Sequence, residues 1–209
     1  MAINLDQQLD AELKSVSKRA KKFILQQILT EKKKPDLLYN AAKHLVKANG
    51  KMLRPYMAIK SCESVNGRAQ DALPVAAAVE LLHTFTLIHD DIIDNDDKRR
   101  GIATVHIKWG APSAIVAGDL LFAYVYSILA NKLQLDAQRT RKIVASLANA
   151  AVNICEGQMM DMAFSKIEDI SEKEYLTMIN KKTACLFRTA AEIGGLTGGG
   201  TDPQVKALC

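Results

Sequence analysis

The sequence predicts an all-α protein, and three observations lead to that prediction. Apolar residues recur three and four positions apart along most of the 209 residues, as at Leu5, Leu9 and Leu13. Only five prolines interrupt the chain, and residues that favour helix are plentiful. No run of alternating apolar and polar residues predicts a β-strand. We therefore expect one helical-bundle domain that covers residues 1–209.

Start and stop signals divide the chain into helices. Prolines and capping residues mark the starts, whereas Asn-Gly pairs and the segment "GGLTGGG" mark ends. The predicted helices cover residues 5–29, 35–49, 55–66, 71–94, a segment from 112 onward, 136–164 and 171–193, and an eighth begins at Pro203. The fourth helix contains "VAAAVELLHTFTLI", which is apolar almost all round and predicts the centre of the bundle.

Composition narrows the possible functions. The net charge of +5 suits nucleic acid, membrane surfaces or phosphorylated small molecules, without choosing among them. The aromatic residues show no stacking pattern for nucleic acid, so we expect no nucleic-acid partner. Four isolated cysteines without a C-x-x-C pair argue against zinc and fit a reducing compartment.

Targeting and membrane signals are also predicted to be absent. The first residues, "MAINLDQQLDAELK", do not resemble a signal peptide. The longest apolar run, near "LLFAYVYSILA", has about eleven residues, whereas a membrane span needs roughly twenty. We therefore expect a cytoplasmic protein without a membrane span.

An aspartate-rich segment, "HDDIIDNDDKRRG", follows the apolar fourth helix. Asp90 and Asp94 are one helical turn apart, and His83 falls on the same face. Carboxylates at the C-terminal end of a helix oppose its dipole and repel each other, so a bound cation would relieve them. Paired carboxylate oxygens suit magnesium, which also bridges to substrate phosphates, and Arg99 and Arg100 could bind further phosphate oxygens. The alternative is a solvated acidic turn followed by a basic one.

The segment "LIHDDIIDNDDKRRG" resembles the first aspartate-rich motif of the trans-isoprenyl diphosphate synthases, the polyprenyl synthetase family. Further motifs resemble that family and follow its order: "GKMLRP" at 50–55, "TVH" at 104–106, "AGDLLF" at 117–122, "GQMMD" at 157–161 and "KTA" at 182–184. Two positions depart from the family pattern, because Asn49 stands where a second glycine is frequent and Met52 where arginine is frequent. Lys51 and Arg54 remain, so the resemblance still implies phosphate binding there.

The resemblance implies long helices around a deep central cavity and a magnesium-dependent, head-to-tail condensation. Isopentenyl diphosphate would be joined to an allylic diphosphate, such as the dimethylallyl, geranyl or farnesyl ester, by a homodimer. The family carries a second aspartate-rich motif on a later helix. We therefore expect the domain to be incomplete at its C-terminal side, and this chain alone to have low activity.

The same resemblance assigns the site residues. Asp90, Asp91 and Asp94 would form the metal site, and Asp90, Asp94 and Lys182 would be catalytic. The residues implied for the allylic diphosphate are Arg99, Gln158, Lys182 and Thr183. The residues implied for isopentenyl diphosphate are Lys51, Arg54, His83 and Arg100.

Product length is predicted from two positions before the aspartates. Phe85 and Thr86 precede Asp90 by five and four residues. An aromatic residue followed by a small one resembles the enzymes that make geranylgeranyl diphosphate in archaea. Helical geometry alone turns Phe85 about 140° from Asp90, so its role as a steric stop rests on the resemblance.

Three other interpretations remain open from the sequence. The chain could be a non-catalytic prenyl-synthase-like subunit that dimerises without turnover. It could be a ferritin-like metal bundle, since Glu80 and His83 form one E-x-x-H motif, although that architecture needs two. Nucleic-acid binding is supported only by the positive charge.

Overall fold

The computed structural model confirms the all-α fold class. It describes residues 5–29, 33–48, 50–167 and 169–209, so Asn49 of the predicted phosphate-binding motif lies outside the described residues. The α-helices are α1 Leu5–Leu29, α2 Asp36–Lys47, α3 Leu53–Ser64, α4 Leu73–Ile93, α5 Val105–Trp109, α6 Ala111–Lys132, α7 Ala137–Phe164, α8 Glu172–Ile179, α9 Cys185–Thr197 and α10 Asp202–Leu208. A π-helical turn, Asn180–Ala184, joins α8 to α9.

The structure differs from the predicted helices in two main places. The seventh predicted helix extends to Thr197, because Gly194 and Gly195 lie inside α9 and do not end it. The sequence predicts no helix or strand in the segment 95–110, but the structure has β1 Lys98–Arg99, β2 Ile102–Ala103 and the short helix α5 there. Each strand has only two residues, too few for an alternating pattern to be visible in the sequence.

The chain divides into two compact units, which are described separately. The first comprises residues 1–56 and 73–133, and the second comprises residues 57–72 and 134–209. That residues 1–209 form a single domain around one central cavity stays a prediction.

Helix α4 is the centre of the first unit, as predicted. Its residues from Leu73 to Leu82 are all buried, and it packs along α6 and against α1. The α6 side of this contact includes the buried Leu121, Val125 and Leu129. Because α4 is enclosed, its polar side chains need partners within the protein.

A tight hairpin follows α4. Lys98 pairs with Ala103 and Arg99 with Ile102, which leaves Arg100 and Gly101 as a two-residue turn. Both turn residues have positive φ, +54° and +79°, as a type I′ turn requires. The turn therefore gives the two neighbouring arginines different environments.

The second unit is built around α7 and α9. Its core includes the buried Ile143, Leu147, Leu186 and Ile193. Gly194 allows α9 to approach the backbone of α3, since a Cβ at this position would lie 2.1 Å from the carbonyl oxygen of Ala58. Backbone cannot move aside as a flexible side chain can, so this contact requires glycine.

Helix α6 corrects the sequence argument about membrane spans. By length and composition alone, Ala111–Lys132 is long and apolar enough to cross a membrane. The helix does not form one uninterrupted apolar run, because Asp119 divides it into two apolar segments. The core helices of water-soluble proteins pass the same test, so this finding does not establish a span.

We expect Gly194→Ala to lower the free energy of unfolding by about 1–3 kcal/mol, because the added methyl group overlaps the Ala58 carbonyl. Denaturant-induced unfolding followed by circular dichroism measures this. The matched control is Gly195→Ala, whose methyl group meets mainly the mobile end of Leu208 at 2.9 Å. Its helix-propensity gain of about 1 kcal/mol offsets that contact. Equal losses in the two variants would contradict the proposed role of Gly194.

Candidate functional site

Asp90 and Asp94 lie on successive turns where α4 ends. The last helical residue is Ile93, and the Asp94 amide still donates to the Asp90 carbonyl at 2.8 Å. Asp94 is exposed and Asp90 is partly buried. Among the described residues no three His, Cys, Asp or Glu side chains form a ready cluster for a metal. The pair fits magnesium, which commonly takes one or two carboxylates and completes its shell with waters and phosphate oxygens.

Asp91 has a different environment from its neighbours. Its side chain is 1% exposed, and Oδ1 accepts a hydrogen bond from Arg99 Nε at 2.7 Å. Arg99 Nη2 also donates to Asp96 Oδ2 at 2.9 Å. Burial raises the pKa of Asp91, and the bonds to Arg99 oppose that rise. Asp91 and Arg99 thus pair with each other, and their predicted contacts with metal and allylic diphosphate stay predictions.

The loop of the aspartate-rich segment is fixed by the predicted "TVH" motif. Thr104 is fully buried, and its hydroxyl donates to the Asp96 carbonyl at 2.8 Å. Its amide donates to the Asp97 carbonyl at 3.0 Å. A buried threonine can therefore close the loop between α4 and the hairpin.

A small cationic cavity lies beside α4. Its volume is about 130 Å³, which is room for about four waters. The side chains that line it are Lys51, Met52, Leu53, Arg54, Glu80, His83 and Arg100. All four residues that the sequence assigned to isopentenyl diphosphate meet here, although they come from three separate segments. Asp90 and Asp94, expected on the same face as His83, do not line this cavity.

The cavity favours a neutral histidine. Burial, and after it the charges of Arg54, Arg100 and Arg99, lower the pKa of His83 well below its ordinary range. Near neutral pH the imidazole can therefore donate one hydrogen bond and accept another. The positive charges that face the cavity are those of Lys51, Arg54 and Arg100.

Helix α1 and the hairpin hold the loop that carries Lys51. Ser17 donates to the Lys51 carbonyl at 3.0 Å, and Lys21 donates to the Lys47 carbonyl at 2.6 Å. A Cβ on Gly50 would lie 2.4 Å from Nη1 of the Arg100 guanidinium, so a larger residue at this position would displace the arginine. The sequence argument missed Ser17 and Lys21, because nothing in a helical pattern indicates a contact with a loop thirty residues away.

Glu80 is a further residue that the sequence argument did not assign to this site. It is 2% exposed, and its Oε1 lies 3.7 Å from Arg100 Nη2. Burial raises the pKa of Glu80 to about 7, and the charges of Arg100 and Arg54 oppose that rise. The sequence did contain one sign of such a role, because Glu80 is a single acidic residue inside the apolar run of α4.

The second unit holds the other predicted diphosphate ligands. Lys182 and Thr183 lie in the π-helical turn, and Gln158 lies on α7. A Cβ on Gly157 would lie 2.4 Å from the Lys182 amide nitrogen, so glycine lets α7 approach the π turn. Lys182 Nζ donates to Asp161 Oδ2. Asp161 was missed as a partner, although it ends the quoted "GQMMD" motif.

The residues predicted to limit product length lie in an aromatic cluster. The Phe85 ring is 4.7 Å from the His89 ring and 5.1 Å from the Phe122 ring, between centroids. Phe122 contacts Tyr126 one turn later on α6. The Thr86 hydroxyl donates to the His83 carbonyl at 2.8 Å. Phe85 thus leans toward α6, away from the aspartate line, as the helical geometry indicated.

Comparison with proteins of known structure identifies the class of protein to which this fold belongs. The fold matches a solved geranylgeranyl pyrophosphate synthetase from Pyrococcus horikoshii with a TM-score of 0.93 and 36% identity, over 98% of this chain and 62% of that one. This is an all-α protein of the isoprenyl synthase type. Residues 35–209 match the family model described as "Polyprenyl synthetase". The chain belongs to the polyprenyl synthetase family.

Curated relatives agree with this assignment. A geranylgeranyl diphosphate synthase from Methanosarcina mazei is 46% identical, over 84% of this chain and 54% of the relative. A short chain isoprenyl diphosphate synthase from Methanothermobacter thermautotrophicus is 45% identical, over 83% of this chain and 53% of the relative. The chain spans about half the length of these curated relatives.

We expect Asp91→Asn to lower the free energy of unfolding by about 1–3 kcal/mol, because it removes the charged acceptor of a buried hydrogen bond to Arg99. Asp94→Asn is the matched control, since Asp94 is exposed and its charge opposes the helix dipole. Its unfolding free energy should change by no more than about 0.5 kcal/mol. Chemical denaturation measures both, and a larger loss in Asp94→Asn would contradict the distinction between the two carboxylates.

Proposed function

We propose that this chain takes part in the magnesium-dependent, head-to-tail condensation of isopentenyl diphosphate with an allylic diphosphate, with geranylgeranyl diphosphate as the product. The observation that carries the proposal is the convergence of Lys51, Arg54, His83 and Arg100 on one cavity beside the helix that ends in Asp90 and Asp94. The cavity is small and cationic, which suits a diphosphate group. Family membership and relatives named as geranylgeranyl diphosphate synthases support the proposal.

In the proposed site the two diphosphates are held by different residues. Lys51, Arg54 and Arg100 bind the diphosphate of the isopentenyl substrate, with the neutral His83 as an additional hydrogen-bonding group. Lys182, with Arg99, Gln158 and Thr183, holds the allylic diphosphate. A magnesium ion bound by Asp90 and Asp94 would neutralise charge on the departing diphosphate.

The chemical step requires charge stabilisation and the exclusion of water. The allylic C–O bond breaks, and its electron pair leaves with the diphosphate. The double bond of isopentenyl diphosphate attacks the allylic cation, and a proton is then lost. Fixed cations aimed at the leaving group stabilise the transition state more than the bound substrate. The apolar wall of α4 and α6 keeps water from the cation.

The other interpretations gain no support. The relatives at 45–46% identity are named as synthases, which does not favour a non-catalytic subunit. Glu80 and His83 face the cationic cavity, and cations there oppose the binding of a metal ion. The ferritin-like interpretation therefore has no structural basis at this motif.

We further propose a homodimer in the cytoplasm. Helix α6 exposes Ile115 and Val116, each by about half of its surface, and such apolar surface favours contact with a second copy. Among the described residues, Cys62, Cys155 and Cys209 form no disulfide, which is compatible with a reducing compartment.

A product assay tests the proposed function directly. In a chain that also carries the family's second aspartate-rich motif, labelled isopentenyl diphosphate, magnesium and each allylic diphosphate should give a longer prenyl diphosphate, detected by chromatography, and chelation of magnesium should abolish it. Asp90→Ala should lower turnover by about 100-fold or more, because it removes a metal ligand. The control is Asp97→Ala, an exposed residue of the same segment, which should keep wild-type turnover. Unchanged turnover in Asp90→Ala would contradict the assigned role.

Product length provides a second test. In the same extended chain, Phe85→Ala should give products longer than geranylgeranyl diphosphate, since removing the ring opens space beside Phe122 that close-packed walls otherwise deny to the growing chain. Tyr126→Ala, one contact further along the aromatic cluster, is the comparison variant and should shift product length less. The same products from Phe85→Ala and wild type would exclude Phe85 as the stop.

A further inference from the structure

Glu80 has no role in the proposed reaction, yet it is an acidic residue in the wall of the cationic cavity, near the charges of Arg54 and Arg100. It is enclosed at 2% exposure among apolar residues of α4, and Oε1 has no hydrogen-bond partner among the described residues. An ionised carboxylate in such a place is costly unless cations compensate for the lost hydration. Arg100 and Arg54 supply that compensation from the hairpin and from the start of α3.

We propose that Glu80 is the counter-ion of Arg54 and Arg100 while the cavity holds no diphosphate, and that it takes up a proton when a diphosphate group binds there. This inference rests on the proposed function, because it needs the cavity to bind a diphosphate. The carboxylate and the diphosphate compete for the same two guanidinium groups. Once the guanidinium groups bind the ligand, Glu80 is left as a buried acid without its compensating charges.

The charged side chains around Glu80 show which group can take up the proton. The titratable side chains that line the cavity are Lys51, Arg54, His83 and Arg100. Lys21 of α1 lies outside the cavity but near enough to Arg100 for the two positive charges to repel each other. Burial, and to a smaller extent the charge of Arg100, lower the pKa of Lys21. No described charged side chain of α1, α2, α5 or α6 lines the cavity. Glu80 is therefore the one lining acid that can exchange a proton on binding.

The sign of the effect follows from the pKa of Glu80, which burial raises to about 7 against the charges of the two arginines. A ligand that neutralises these arginines raises this pKa further. At pH 6 the carboxyl is already mostly protonated, so binding takes up few protons. At pH 8 it is mostly ionised before binding, so uptake approaches one proton, and affinity falls as pH rises through 7.

Isothermal titration calorimetry with inorganic pyrophosphate and with isopentenyl diphosphate measures this uptake. Titrations are run at pH 6, 7 and 8 in pairs of buffers that differ in ionisation enthalpy. A chelator is present throughout, so that Asp90 and Asp94 hold no metal. In wild type we expect proton uptake that grows from pH 6 to pH 8. A ligand that ionises on binding releases protons, so its contribution is opposite in sign to the proton uptake by Glu80.

The variant Glu80→Gln keeps the shape of the protonated glutamate and removes the titration. It should lose the uptake and bind pyrophosphate at pH 8 up to about tenfold more tightly than wild type, with equal affinity at pH 6. The control Glu63→Gln removes a surface carboxylate paired with Lys60 and should titrate as wild type does. The wild-type pH series alone also separates Glu80 from His83, whose uptake would be greatest at acid pH.

Other outcomes overturn the inference. Uptake that persists in Glu80→Gln, or that decreases from pH 6 to pH 8 in wild type, would assign the proton to another group. If Glu80→Gln bound pyrophosphate more weakly than wild type by the same factor at every pH, Glu80 would only orient Arg100 and would not exchange a proton. If wild type binds neither ligand, the proposed function itself is wrong at this cavity. That result differs from binding without proton uptake, which removes only the role of Glu80.

Discussion

The burial of helix α4 is the constraint on which the rest of the first unit depends. A helix that is buried over most of its length gives a stable core, but any buried polar group on it must find a partner inside the protein. Glu80, Thr84 and Asp91 are such groups, each exposed by 2% or less. Thr84 bonds back to the Glu80 carbonyl within the helix. The two carboxylates instead require cations from elsewhere, and these come from the segment that follows the helix.

The hairpin after α4 places one of two adjacent arginines beside each carboxylate. Arg99 reaches Asp91, and Arg100 lies beside Glu80, more than two helical turns earlier. Two neighbouring residues can serve such distant sites because the chain reverses at Arg100 and Gly101, both with positive φ. Positive φ at a residue other than glycine is energetically unfavourable and persists only where the surrounding structure stabilises it. Here it is compensated by the ion pairs and by the bond from Arg100 to the Leu45 carbonyl.

Acidic residues of one short region consequently have different physical roles. Asp91 is buried and paired, so it supports the loop, whereas Asp94 is exposed and can bind a cation with waters around it. In the second unit, Lys182 is likewise paired with Asp161. A diphosphate that binds these cations has to replace carboxylates that already hold them. Such preformed pairs hold the cations in fixed positions.

The sequence by itself determined the fold class and most helix boundaries, and it named four of the residues, Lys51, Arg54, His83 and Arg100, that line the cationic cavity. Helical periodicity is a local property, and the order of short motifs is visible along the chain. The π turn around Lys182, the two-residue strands and the continuation of α9 through Gly194 were not predictable, since each depends on what packs against it. The sequence predicted that Asp90, Asp91 and Asp94 lie close together, but it could not predict that they differ in burial and in charge partners. Only the tertiary structure decided that Asp91 is enclosed with Arg99 and that Glu80 joins the cationic cavity, because burial and charge partners are set by residues distant along the chain.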